Sequence, residues 1–362
     1  MHNMAVRDLI VVGAGPSGLS AAIAAKQRGL EYLVIERGTL VNSIYHFPPQ
    51  MVFFTTPELL EIGGMPFVSP YDKPTRAEAL RYYRKVADVF DLQIVHDEAV
   101  IAIESESSPD LAVVDARSAG GVFGVETRSG RGVRRVRHAR NVILAIGYYD
   151  RPNFLGVAGE DLPHVHHYYD EPHPYYRQRV VIVGGGNSAA EWALELFRAG
   201  AHVTVVHRRA TLKPTIKYWV RPDIDNRIKE GSIAARFGTR VTEIRPTSVL
   251  LRPVGGSADT PPPPRGAAGT PTAGLGSDEE LPADAVFLLT GYHTDWELME
   301  RAGITLGEHR VPTYDPVTYE TNVPGLFVAG GAICGRDTTN VFIENGRFHG
   351  EKIVATIAER TA

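Results

Sequence analysis

A chain of 362 residues, 43% hydrophobic and 22% charged, is long enough for two domains with separate cores. Its 38 Lys and Arg against 42 Asp and Glu leave a net charge of −4, which argues against nucleic acid as a partner. No apolar run reaches the length of a membrane span, and a single cysteine, Cys334, excludes an internal disulfide and a thiolate zinc cluster. With the first strand starting within about ten residues of Met1, the expectation is a cytoplasmic protein without a signal peptide.

In chain order, Asp8 to Gly29 reads as an apolar strand, a glycine turn and an alanine-rich helix, followed by a strand from Tyr32 to Glu36. Arg76 to Phe90 reads as a helix. Short strands follow near Gln93 to Val95, Val100 to Ile103, Leu111 to Asp115 and Val122 to Thr127, then Asn141 to Ile146. The segment Asp150 to Tyr176 is rich in Pro, His and Tyr, which suits a connection between domains. Its tyrosines, with Tyr148 and Tyr149 before it, suit packing at the crossing for the most part and, for some of them, a cover over a bound aromatic ring. Gln178 to Gly200 then repeats the strand, glycine turn and helix, with a strand from His202 to His207.

Residues 252–281, with four consecutive prolines at 261–264, read as a flexible Pro/Gly-rich loop. Strands at Ala285 to Thr290 and Gly325 to Ala329 are expected to return the chain to the first domain, and a helix from about Val341 to Arg360 to close it. The expected fold class is therefore α/β, with two Rossmann-like, three-layer dinucleotide-binding domains. The second, 153–287, is inserted into the first, 1–152 and 288–362.

Gly13, Gly15 and Gly18 match G-x-G-x-x-G, with Pro16 and Ser17 inside the turn. The first glycine permits the tight turn, the second lets backbone approach a pyrophosphate, and the third lets helix and strand pack closely. Glu36 ends the following strand, where a carboxylate accepts from ribose hydroxyls and repels a 2′-phosphate. Gly184, Gly186 and Ala189, with Asn187 and Ser188 between them, repeat the pattern as G-x-G-x-x-A. Here His207, Arg208 and Arg209 stand where the acid would be. Two guanidinium groups suit a 2′-phosphate, so NADPH is favoured over NADH at this site. Lys213 and Lys217 offer further positive charge to the same site but read more simply as surface residues. His164, His166 and His167 lack the acid or cysteine spacing of a metal site, and no metal is expected.

These turns resemble the thioredoxin-reductase-like flavoproteins, together with Ala145-Ile146-Gly147 and the string from Leu326 to Gly330. The strings 43–64, 147–153, 217–224 and 342–347 are similar to the bacillithiol disulfide reductase (YpdA-type) family. The resemblance implies FAD at the first site, NADPH at the second, a homodimer, and reduction of a small-molecule disulfide such as bacillithiol disulfide. It further implies FAD contacts at Ala145, Gly147, Gly330, Gly331 and Ala332, beside Arg37 near Glu36. Tyr45 and Phe53 are candidates to line the flavin pocket.

Three departures stand out. Ser17 occupies the position where the bacillithiol-type family commonly has cysteine, and the chain has no Cys-x-x-Cys pair. Gly331 stands where thioredoxin-reductase-like chains often have aspartate, so backbone or water contacts are expected there instead. Cys334, after that loop, is the remaining candidate for a reactive thiol if a helix N-terminus lowers its pKa, but a lone thiol without a resolving partner reads better as a small buried residue packing under the cofactor. Three other readings compete: a reductase passing electrons to a ferredoxin or flavodoxin, a non-enzymatic NADPH/NADP⁺ sensor, and a flavin monooxygenase. For the last, Glu160 stands where its F-x-G-x-x-x-H motif needs histidine.

Overall fold

The computed structural model describes residues 6–106, 121–254 and 278–361. The chain divides into two compact units, one formed by residues 1–151 and 292–362 and the other by 152–291.

The first unit opens with β1 (Val6–Val12), α1 (Pro16–Gln27) and β2 (Tyr32–Ile35), followed by the short α2 (Asn42–Tyr45). The strands are near-continuous apolar runs because both faces of the sheet are covered. The helix α3 (Arg76–Val89) starts at a capping box: Thr75 Oγ1 accepts from Glu78 N–H at 3.2 Å, and Glu78 Oε2 accepts from Thr75 N–H at 2.8 Å. Next come β3 (Ile94–Val95), β4 (Glu98–Glu106), β5 (Val122–Ser129) and β6 (Arg134–Leu144). The expected strand at 111–115 lies outside the described residues. The strand expected from Asn141 starts seven residues earlier, because its first half pairs antiparallel with β5 and its second half pairs parallel with β1.

The second unit contains β7 (Val165–His166), β8 (Arg179–Val183), α4 (Asn187–Arg198), β9 (His202–His207), α5 (Arg221–Lys229), β10 (Ala234–Phe237), β11 (Thr239–Arg245), β12 (Ser248–Pro253), β13 (Glu279–Pro282) and β14 (Ala285–Leu288). A parallel sheet runs in the order β10-β9-β8-β14-β7, and β11-β12-β13 form a separate antiparallel sheet. Two expectations are corrected here. The strand at 285–288 does not return the chain to the first unit: Ala285–Leu288 pair with Val180–Val183 in the middle of the second sheet, and the return falls after Gly291 rather than at 288. The loop expected over 252–281 is narrower at both ends, since Leu251 pairs with Glu279 and Arg252 bridges Asp278 at 2.7 Å. Residues 255–277 lie outside the described residues. Tyr169 and Tyr175 pack inside this unit, Tyr169 stacked on Trp192 at 4.9 Å and Tyr175 edge-on to Phe287 at 5.1 Å.

Back in the first unit, α6 (Trp296–Arg301) precedes β15 (Leu326–Val328), which pairs in parallel with the end of β6. The closing helix is broken into α7 (Ile343–Gly346) and α8 (His349–Thr361). Asn345 Oδ1 accepts from Phe342 N–H at 2.8 Å, a capping contact internal to the expected helix. The last helix lies tightly on α1: a β-carbon on Gly350 would stand 2.5 Å from Ala21 N.

Candidate functional site

In the first unit the strand order is β3-β2-β1-β6, with β15 beyond β6. The chain leaves β1 toward β2 on one side and arrives at β6 on the other, so a crevice opens at the carboxyl ends of β1 and β6. Gly13, at φ 106°, sits in it, and a β-carbon there would lie 2.5 Å from Ala145 O. A β-carbon on Gly18 would run into the Gly13 carbonyl. Gly15 differs, for nothing lies within 4 Å of where its β-carbon would be. Two of the glycines are required by the protein's own packing, and the third leaves space in front of the turn. Pro16 occupies the start of α1, and no side chain caps that end. The turn thus fits a pyrophosphate, with helix N–H groups directed at it. Glu36 is buried beside the turn, its Oε2 accepting from Ala14 N–H and its Oε1 from Gly38 N–H, each at 2.8 Å. Burial pushes its carboxyl pKa up, against the lowering effect of those two N–H groups.

The turn after β15 runs along Gly330–Cys334, beside the end of β6. A β-carbon on Gly330, at φ 59°, would collide with Ser17 Oγ, and one on Gly346 would stand 3.1 Å from Gly330 Cα. Ser17 is therefore enclosed by two glycines. Gly330 N–H donates to His349 Nδ1 at 3.1 Å, and the His349 ring stacks on Tyr319 at 4.3 Å. Burial lowers the His349 pKa to about 4, so the ring is the neutral acceptor this contact needs. Cys334 is buried, and burial pushes its thiol up to about 11. The thiol is raised rather than lowered, because burial and the Asp337 charge outweigh the backbone contact from Val341, and Cys334 is the small buried residue that the sequence favoured over a reactive thiol.

The second unit rebuilds the first turn. Gly184 has φ 159°, and a β-carbon there would lie 2.5 Å from Leu289 O, as Gly13 faces Ala145 O. Gly186, like Gly15, has open space, its nearest neighbour being Lys213 Cδ at 3.9 Å. Ala189 takes the place of Gly18. The ring of His207 packs so close to Gly185 that a β-carbon there would lie 2.5 Å from its Nε2. That nitrogen is buried without a hydrogen-bond partner among the described residues. Burial, then the charges of Lys213, Arg208 and Arg209, lower the His207 pKa to about 4. Arg208 and Arg209 are exposed and make no ion pair among the described residues. They are available to an external anion at the strand end.

Several expected residues do other work. Arg37 pairs with Asp150 at 2.8 Å. Phe53 is packed in the core against Phe47, so it supports the wall of the unit and presents no open face. Tyr45 is half exposed, with Arg76 5.5 Å from its ring. The Asn187 side chain holds the following loop, accepting from Lys217 N–H at 2.8 Å and donating to Thr215 O at 3.2 Å. Glu160 binds the N–H groups of Leu155 and Gly156 at 2.8 and 2.7 Å, a turn-closing role for the residue at the monooxygenase histidine position. Lys213, read from sequence as a surface residue, lies at the second turn. Its N–H donates to Gly185 O at 2.8 Å, which draws a lysine six residues beyond the strand back across the turn. Among the described residues no group of three His, Cys, Asp or Glu could hold a metal ion, and no helix is long and apolar enough to cross a membrane.

Two glycine turns at two switch points, one beside a carboxylate and one beside a cationic cluster, define a class: oxidoreductases with two dinucleotide sites. A family model for pyridine nucleotide-disulphide oxidoreductases matches residues 10–254 and 274–330. The chain belongs to that family. It is 38% identical over 352 residues to the bacilliredoxin reductase Bdr of Bacillus subtilis, covering 97% of each chain. Solved structures titled bacillithiol disulfide reductase Bdr (YpdA), from Bacillus cereus and Staphylococcus aureus, superpose with TM-scores of 0.86 and 0.83, each 35% identical. They cover 98% and 99% of this chain and 100% of each of those. The fold is the expected α/β architecture of two Rossmann-like domains, and the cofactors are FAD and NADPH.

Proposed function

We propose that this protein is an NADPH-dependent, FAD-containing reductase of a low-molecular-weight disulfide of the bacillithiol type, and that it works without a protein thiol in relay. Gly13, Gly15, Gly18 and Glu36, with Ala145, Gly147 and the turn Gly330–Ala332, would hold FAD. Gly184, Gly186, Lys213, Arg208 and Arg209 would hold NADPH. When bound, FAD would supply a two-electron carrier between the nicotinamide and the disulfide. The protein's part is position and charge: open backbone at Gly15 and Gly186, a carboxylate at one strand end and guanidinium groups at the other.

The observation that carries the reading is that contrast between Glu36 and Arg208-Arg209 on otherwise equivalent turns, in a chain so similar to a bacilliredoxin reductase. The absence of a relay thiol rests on Ser17 and on a buried Cys334 with a raised pKa. A cytoplasmic homodimer is the form the resemblance supports.

The test is anaerobic stopped flow. The yellow protein is mixed with NADPH or NADH, and bacillithiol disulfide is then added to the reduced enzyme. NADPH-selective bleaching followed by reoxidation is expected. Bleaching without reoxidation by the disulfide would overturn the substrate, and no bleaching would overturn the reductase.

A further inference from the structure

Position 331 lacks the carboxylate that the resemblance leads one to expect, and the structure shows what stands there instead. A β-carbon on Gly331 would lie 2.7 Å from Cδ1 and 2.9 Å from Cε1 of Tyr148. The backbone of Gly331 is outside the left-handed region, so conformation does not require glycine there. Space does, and an aromatic ring fills it. Tyr148 follows Gly147 at the carboxyl end of β6, and Gly331 follows β15, the strand paired with that end. The two residues therefore flank one point on the rim where ligands of open α/β sheets bind. The Tyr148 ring is half buried, yet its hydroxyl has no hydrogen-bond partner among the described residues. Cys334 and Glu344 are near enough to act on it. With burial as the larger cause, they push the phenol up to about 12, so it remains an O–H donor throughout the working pH range.

We infer that Tyr148 is a cofactor-contacting residue that replaces the missing side chain at 331, its free hydroxyl donating a hydrogen bond to the bound flavin. This rests on the reading of residues 330–332 as the FAD turn. A donor takes the place of an acceptor, so the polar contact at this point on the cofactor is reversed in sense. Gly331 and Tyr148 are then one unit, and neither can change alone.

The test uses the purified holoprotein and reads FAD affinity and the flavin absorption spectrum. Tyr148→Phe keeps the ring and removes the donor. It is expected to weaken FAD binding about three- to tenfold, the size of one neutral hydrogen bond, and to shift the flavin bands. Gly331→Asp alone is expected to lose FAD by more than about tenfold, and Gly331→Asp in the Tyr148→Ala background to regain most of it. A Tyr148→Phe protein with unchanged affinity and spectrum overturns the inference even if the aspartate variants fail to fold. So does an aspartate variant no better in the Tyr148→Ala background. A wild-type protein that takes up no FAD would instead overturn the reading on which the inference rests.

Discussion

Val12 pairs with Ile35 in the first unit as Val183 pairs with Val206 in the second. Gly13 N–H donates to Ile35 O at 2.8 Å, and Gly184 N–H donates to Val206 O at 3.0 Å. The match ends one residue further on. There the first unit has Glu36, pinned by two N–H groups, and the second has His207, whose Nε2 has no partner among the described residues, followed by two exposed arginines. Backbone alone makes both pyrophosphate seats, so they can be identical. Discrimination between a ribose hydroxyl and a 2′-phosphate needs side chains, and it is concentrated where the two units diverge.

The largest break in this comparison comes from the third glycine. Gly18→Ala forces a β-carbon into the Gly13 carbonyl and is expected to empty the protein of FAD and to cost about 3 kcal/mol of stability. Flavin-to-protein ratio and urea midpoint are the measurements. Ala189 already carries that β-carbon, and Ala189→Gly is expected to cost only about 1 kcal/mol and to leave the NADPH KM unchanged.

Next in size, Arg208→Gln combined with Arg209→Gln removes both charged contacts to a 2′-phosphate. Steady-state kinetics are expected to show the KM for NADPH raised about 100-fold and that for NADH unchanged.

A pH series sharpens the contrast at the strand ends. The His207 pKa falls to about 4 from 6.5, so its stabilising contribution is complete above pH 6.5 and is lost as pH falls through 4. Between pH 6.5 and 5 this amounts to about 2 kcal/mol, and His207→Gln is expected to flatten that limb of a urea-midpoint profile. Glu36 has the opposite sign, since its raised pKa gives stability that is present at acid pH and lost as pH rises through the folded value. The smallest effect is expected for Cys334→Ala, with full turnover and about 1 kcal/mol of lost stability by thermal unfolding.

Both glycine turns, their flanking strands and the charge difference between them could be read from sequence, because each depends on residue types at short fixed spacing. What the sequence concealed depends on contacts between distant segments. Leu289 looked like part of a returning strand, and only its pairing beside Val183 shows that it backs the second turn as Ala145 backs the first. Phe53 looked like a pocket residue, since an aromatic in a loop gives no sign of which way it packs. Lys213 looked peripheral until its backbone contact to Gly185 drew it across the turn. Tyr148 and Gly331 are 183 positions apart, and no local pattern links a ring to the glycine that makes room for it.

The buried sulfur of Cys334 has a consequence for endurance. Oxidants and alkylating agents attack thiolates, and the chain's single sulfhydryl is both covered and held in its protonated form. A reductase of a disulfide, itself the oxidised form of a thiol, would thus offer hydrogen peroxide no exposed thiolate to convert to a sulfenic acid. It would go on working in the conditions that create its substrate, with no need of a second reductase to restore it.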